Sequence, residues 1–245
     1  MSFASPMISS FERSPQRYVR LAGVMYLAII VLGLFGEGFV RASLIASGDA
    51  GATFANIAAS PLLWRAGIAG DLLMHVLDVP VIVIVYLLLR PVNKGLALLA
   101  TFFNLIQTAV LAVNKLTLLV PLFLIGDARF LKAFSPEQLH AMSALAINMH
   151  GHGFGVGLIF FGFACLARGW LIFQSGYLPK ALGVLMFAAG LSYLINSFAL
   201  LLAPALADMI FPAVLVPAFI GELAFCLWLI VKGVNVERWR ARSAR

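Results

Sequence analysis

The stretch "NMHGHGFGVG" (Asn148–Gly157) alternates glycine with larger residues in the manner of a half-buried strand. It lies, however, inside a long apolar run. An open strand edge in hydrocarbon leaves backbone N–H and C=O groups without partners, so only a helix or a closed barrel spans a bilayer. The setting therefore requires a helix. At helical spacing, Gly151/Gly155 and Gly153/Gly157 become two small-xxx-small pairs, which let neighbouring helices approach closely. His150 and His152 then point about 200° apart, so a regular helix does not bring both to one site. The expectation is that His150 faces the interior and that His152 joins Asn148, four residues earlier.

Composition carries the same conclusion to the whole chain. Of 245 residues, 62% are hydrophobic and 11% charged, against roughly 45–50% and about 25% in a soluble domain. The excess is gathered into runs of about twenty residues, the length that crosses a bilayer. Six are expected: Tyr18–Val40, Leu62–Leu89, Leu96–Ile125, Leu139–Ala167, Ala181–Ala203 and Ile210–Val231. The first follows Arg13, Arg17 and Arg20 as a signal peptide would. It is too long for one and lacks a small-residue cleavage site, so it reads as an uncleaved span. The class is an all-α integral membrane protein, a six-helix transmembrane bundle. It divides into an N-terminal tail (1–16), a membrane domain (17–232) and a basic tail (233–245). Cys165 and Cys226 read as small buried hydrophobes.

Lys and Arg set the expected orientation. One side holds Arg13, Arg17, Arg20, Arg90, Lys94, Arg168, Lys180, Lys232, Arg238, Arg240, Arg242 and Arg245. The other holds Arg41, Arg65, Arg129 and Lys132, and Lys115 reads as the one basic residue deep in a span. Twelve against four places both termini in the cytoplasm. The net charge of +7 is thus explained by topology and by anchoring of "ERWRARSAR" to an anionic leaflet. It calls for no nucleic acid. The partner the sequence requires is the lipid bilayer; it assigns no oligomeric state. Ser60 and Ser135 each precede proline, suiting an N-cap followed by the first helical position, and Gln138 completes a capping box with Ser135. Gly48–Ser60 reads as a short interfacial helix.

Polar residues within the spans mark the candidate site. In "DLLMHVLD", His75 lies at about +40° and Asp78 at about −20° from Asp71 on a helical wheel, one narrow face. A charge near the bilayer centre costs roughly 2.5–3.5 kcal/mol, so these carboxylates must face protein or water. Pro80 frees the carbonyl of Val76 beside them. Asn104, Gln107, Thr108 and Lys115 share a face of the third span, and Lys115 is expected on a carboxylate, Asp71, Asp78 or Glu222, with snorkelling towards the outer surface as the alternative. Glu222 stands near the middle of the last span, Glu37 at the outer end of the first. Asn196, with Ser192 and Tyr193, forms a weaker patch explained by interhelical hydrogen bonds. The ligand- or proton-binding candidates are Asp71, His75, Asp78, Lys115, His150 and Glu222. Asn104, Gln107, Asn148, His152 and Asn196 are secondary.

"LLLRPVNKGLALLA" (Leu87–Ala100), "GLIFFG" (Gly157–Gly162) and "LPKALGVLMFAAGLSYLINSF" (Leu178–Phe198) resemble a bacterial multi-pass membrane family, a domain of unknown function numbered, in words, four-three-eight-six. The likeness runs from about Arg17 to Val231. It implies a counterpart for His150, seven residues before "GLIFFG", and for Asp71, but none for His152 or Lys115. It implies a protein of the bacterial cytoplasmic membrane and supplies no activity.

Three functions fit these residues. Carboxylates, histidine and lysine within spans suit a carrier, channel or binding protein for a small polar solute or proton. Asp71, His75, Asp78 and His150 contain ligand types that suit zinc, and a metal-bound water would make a hydrolase; no H-E-x-x-H or Gly-x-Ser-x-Gly motif supports this. A haem between His75 and His150 lacks a C-x-x-C-H attachment site, and the sequence assigns no cofactor. The third reading is a structural or accessory protein whose polar cluster only fixes helix packing.

Overall fold

The computed structural model describes residues 4–244, and these are helical with no strand; Arg245, counted above among the cytoplasmic charges, lies outside the described residues. α1 (Ala4–Arg13) precedes a long first span. That span comprises α2 (Pro15–Gly33), a π-helical segment (Leu34–Arg41) and one closing turn, α3 (Ala42–Leu44). α4 (Ala50–Ala59) is the short helix expected between the first two spans. It is capped by Asp49, whose Oδ1 accepts from the Ala52 N–H at 2.8 Å. α5 (Pro61–Leu89), α6 (Lys94–Leu124), α7 (Pro136–Ser175) and α8 (Lys180–Leu202) are the second to fifth spans. α9 (Pro204–Ile210) and a 3-10 turn at Ala213–Leu215 lead into the sixth, α10 (Val216–Val231), and α11 (Val236–Ser243) closes the chain.

The six spans form a ring in chain order. Each packs on the next, and α10 returns to pack on both α8 and α2. An even number of crossings puts both termini at one end, called here the terminal end. The tails do not hang free there. Phe11 of α1 meets Trp239 of α11 edge-on at 5.4 Å. Trp239 Nε1 and Tyr177 Oη both donate to the Leu88 carbonyl, at 3.1 and 2.7 Å. The Gln16 amide joins the Lys232 carbonyl to the Val234 N–H. These bonds satisfy carbonyls and amides that helix ends otherwise leave open.

Three features of the sequence explain the helix boundaries, and two expectations change. Ser135 and Gln138 form the capping box foreseen for α7, and Asn93 caps α6 through the Leu96 N–H at 2.9 Å. α7 ends at Gly176, whose φ of +75° suits glycine. Ser60, expected as a side-chain cap, makes no such bond; it is also the C-cap of α4, and its backbone turns directly from one helix into the next. The last span does not begin at Ile210. Pro212 supplies no N–H and interrupts the helix there, so the crossing begins at Ala213.

Helix α7 is continuous through the glycine alternation, so the strand-like pattern is a packing pattern. A Cβ on Gly153 would overlap the Asn114 side chain, and one on Gly155 or Gly157 would press on Leu200 or Leu111. Gly151 meets nothing, so only one member of its pair makes a close contact. Backbone-to-backbone approach of α7 and α8 lies further along. A Cβ on Gly169 would lie 2.7 Å from the Phe187 nitrogen, and one on Gly190 2.7 Å from the Gly162 carbonyl oxygen, which brings the α7 and α8 backbones together. Outward-facing Val24, Val31, Val76, Val113 and Leu116 are more than half exposed, the surface that lipid covers.

Candidate functional site

The ring encloses a cavity of about 330 Å³ lined by residues from all six spans. Its wall is mainly apolar, and three polar clusters interrupt it.

The first lies towards the end opposite the termini and centres on Asp71, 1% exposed. Arg41 donates to both carboxylate oxygens, Nη1 to Oδ2 at 2.8 Å and Nη2 to Oδ1 at 3.2 Å. Lys115 Nζ stands 3.0 Å from Oδ2, and 6.0 Å over the Phe154 ring. Arg41 Nε also pairs with Glu37 at 2.6 Å, a carboxylate 71% exposed. Local structure makes this reach feasible. The π-helical segment carries both Glu37 and Arg41, and single π turns recur at functional sites. Gly36 faces Asp71, and any side chain there would overlap its carboxylate. One buried carboxylate therefore serves two buried cations.

The second cluster lies about two turns further along α5. Asp78 Oδ2 accepts from Asn104 Nδ2 at 3.0 Å and from the Thr108 hydroxyl. Asn104 Nδ2 also donates to Gln107 Oε1 at 2.8 Å, and its own Oδ1 accepts from Arg168. The third cluster is Glu222, whose two oxygens each take a tyrosine hydroxyl, Tyr26 at 2.7 Å and Tyr193.

Against these clusters the sequence-based candidates divide clearly. Asp71, His75, Asp78, Gln107, Lys115 and Glu222 line the cavity. Asn104 stands one bond behind the wall. His150 is 5% exposed and faces the interior, but not the cavity. Asn114 Nδ2 lies 3.0 Å from its Nδ1 and donates to its carbonyl at 2.8 Å. His152 is exposed, its Nδ1 at 3.0 Å from the Asn148 carbonyl, and Asn148 is exposed with it, so neither joins the site. Asn196 is half-buried and off the cavity. His75 is 4% exposed and lines the cavity, and its Nε2 is buried without a hydrogen-bond partner. Such an atom costs about 1–3 kcal/mol in a native interior.

Two basic residues read as flanking charges belong to the site. Arg41 and Arg168 are each 6% exposed and lie inside helices. Lys115 is therefore not alone. Arg168 is enclosed because α7 runs on through "GWLIFQS" to Ser175, a continuation that Gly176, as the first left-handed glycine after it, could have signalled. Arg41 had no comparable signal. The metal reading finds no support in geometry: among the described residues no group of three His, Cys, Asp or Glu could hold an ion, since Asp71, His75, Asp78 and His150 do not converge. Cys165 and Cys226 are buried and free.

These features define a six-helix membrane-spanning protein with a charged, partly apolar cavity inside the ring. The chain belongs to the family described as Domain of unknown function (DUF4386), matched over residues 21–233. It is also similar to a protein of Archaeoglobus fulgidus named "Uncharacterized protein", 30% identical over 166 residues, 68% of this chain and 83% of the relative. The likeness thus extends to an archaeon. No solved structure matches.

Proposed function

We propose that this protein binds a small polar or charged group within the ring of helices, in a cytoplasmic membrane, with both termini on the cytoplasmic side. The observation that carries the reading is His75, which lines a cavity that also holds Arg41, Lys115, Arg168 and four carboxylates, and whose Nε2 is buried without a partner. A cluster that served packing alone gains nothing from leaving such an atom unpaired, and replacing it with an apolar side chain would relieve the cost. A ligand that bonds to it recovers that cost on binding. Cavities of roughly 300–1,000 Å³, mostly apolar with a few placed polar groups, are the usual form of small-molecule sites. The orientation rests on the Lys/Arg asymmetry.

The test is thermal unfolding of the purified chain in mild detergent against a panel of organic acids, amines and neutral amides. A ligand at a hundred times its Kd stabilises by about 2.7 kcal/mol. The expected result is stabilisation of the wild type by one chemical class and loss of that response in His75→Leu. A panel that shifts both proteins equally would leave the packing-only reading in its place.

A further inference from the structure

We infer that the ligand is an anionic amphiphile dissolved in the membrane, which enters sideways between α2 and α10 and places its acidic head on Lys115 and His75. This rests on the cavity-binding reading above and adds the class of ligand and its route.

The route follows from where the ring is closed. α2 and α10 meet tightly near the terminal end. A Cβ on Gly23 would lie 2.8 Å from Ile230, the Cys226 thiol donates to the Gly23 carbonyl at 3.4 Å, and Tyr26 reaches Phe225 and Glu222. Beyond Tyr26 the first span turns its contacts to α5 instead: Gly33 faces Met74, Gly36 faces Asp71, and Val40 covers Gly67. At that level the two walls of the seam are Leu34 and Phe219. Both line the cavity, yet they are 54% and 47% exposed. These two side chains on adjacent helices thus belong both to the cavity lining and to the exposed surface, and this is where the inferred entrance lies. The entrance lies within the spans, and its rim is Leu34, Leu215 and Phe219. What lies outside such a rim is acyl chain, so a molecule using it arrives from the lipid.

The head group follows from unused donors. Lys115 carries three N–H groups, and one is directed at Asp71 Oδ2. That oxygen also takes Arg41, whose Nε is held by the exposed Glu37. His75 Nε2 has no partner. A group that only accepts, a carboxylate or a phosphate, satisfies the ammonium and, in the tautomer that carries its proton on Nε2, His75 as well; charge-assisted bonds of this kind are the stronger sort. The carboxylates at the other end of the cavity are already engaged, Glu222 by two tyrosines and Asp78 by Thr108 and Asn104, and so do not compete for the cations. Between the two ends Leu111, Leu158, Phe161 and Phe225 provide the apolar wall that a hydrocarbon tail would cover.

Equilibrium binding of radiolabelled palmitate to the full chain in maltoside micelles tests this, with dodecyl phosphate, acetate and inorganic phosphate as competitors. The expected result is one saturable site, displaced by dodecyl phosphate and untouched by a large excess of acetate or inorganic phosphate. Loss of a charge-assisted bond weakens affinity about tenfold or more, which is expected for Lys115→Met. Because that variant disturbs a buried ion pair, Leu34→Asp serves beside it: the site is exposed, and a like charge at the mouth should weaken palmitate by a similar factor. Palmitate uptake that never saturates, or that both folded variants retain in full, overturns the inference, as does absence of binding by every acid. Saturable binding of acetate or inorganic phosphate without palmitate overturns the lipid route while leaving the cavity as a ligand site.

Discussion

Replacing Asp71 by Asn should destabilise the protein more than replacing Lys115 by Met, and the two losses should not add. Asp71 is the common partner of two buried cations, Arg41 through both carboxylate oxygens and Lys115 at 3.0 Å. Its removal strands both. Breaking a buried pair from one side typically costs about 3–5 kcal/mol. Lys115→Met leaves Asp71 with its two-bond contact to Arg41, so the loss is nearer that of one charge-assisted hydrogen bond, about 1.5–3 kcal/mol. In the double variant the stranded ammonium is gone. Its cost should then fall short of the sum by roughly 0.5–3 kcal/mol, the range for residues in one network. Unfolding in mixed maltoside and dodecyl sulfate micelles, followed by fluorescence of the buried Trp64 and Trp239, measures all four corners of the cycle. A matching cycle with Asp78→Asn is the control, because Asp78 Oδ2 is engaged by Asn104 and Thr108 rather than by Lys115. Additivity within about 0.5 kcal/mol in the Asp71 cycle, or a Lys115 loss equal to the Asp71 loss, would refute the shared-carboxylate geometry.

The remaining expectations rest on separate contacts. His75→Leu should leave the ligand-free protein as stable or raise its stability by about 1–3 kcal/mol, since an unpaired buried nitrogen is lost; a clear drop in unfolding temperature would mean that Nε2 has a partner. Gly153→Leu should lower thermal stability well below Gly151→Leu, because a side chain at Gly153 meets Asn114 and one at Gly151 meets open space; equal melting of the two purified variants would count against the glycine argument. Trp239→Ala should cost about 3–5 kcal/mol, the usual loss for a buried aromatic, as Trp239 joins α11 to Phe11 and to the Leu88 carbonyl; an unchanged midpoint would show the tail to be free. Reporter fusions at Ser135 and after Ser243 should fall on opposite sides of the membrane, and the same side for both would refute the orientation.

Fold was legible from sequence because the bilayer leaves little choice. Long apolar runs that cannot be strands must be helices, and in this chain each expected run falls on a membrane-spanning helical segment, the last one starting at Ala213 instead of Ile210. Ends were less legible, for local reasons. The Ser135 capping box has a signature in four residues and was readable. Ser60 has half of that signature, and the approach of α4 changes its role. Pro212 breaks the last span because the apolar run continues across a residue that cannot continue the helix, which hydropathy by itself does not register. The α7–α8 contact is built from Gly162, Gly169, Gly183 and Gly190, spaced seven apart. The glycine-dense segment presents spacings of four, which mask the seven-residue spacing that also returns to one helix face.

The polar site was legible where a charge stood among apolar neighbours and illegible where it stood near a run's end. Asp71, His75, Asp78 and Glu222 each sit well inside an apolar run, so their exceptional cost was visible. Arg41 and Arg168 sit where arginine normally marks the membrane boundary, and no property of arginine distinguishes the two uses. The difference is made by a partner elsewhere in the chain: the Asp71 carboxylate thirty residues from Arg41, and the Asn104 amide sixty-four residues from Arg168. Both corrections also bear on orientation, because the same two residues were counted as topology signals. A guanidinium paired inside the bundle is not free to respond to the leaflet, so each leaves the count. Twelve becomes eleven on the terminal side without Arg168, and four becomes three on the other without Arg41. The asymmetry survives because the two errors fall on opposite sides. The orientation therefore rests on arginines and lysines at the helix ends, and the cavity on arginines that a charge count had assigned to those ends.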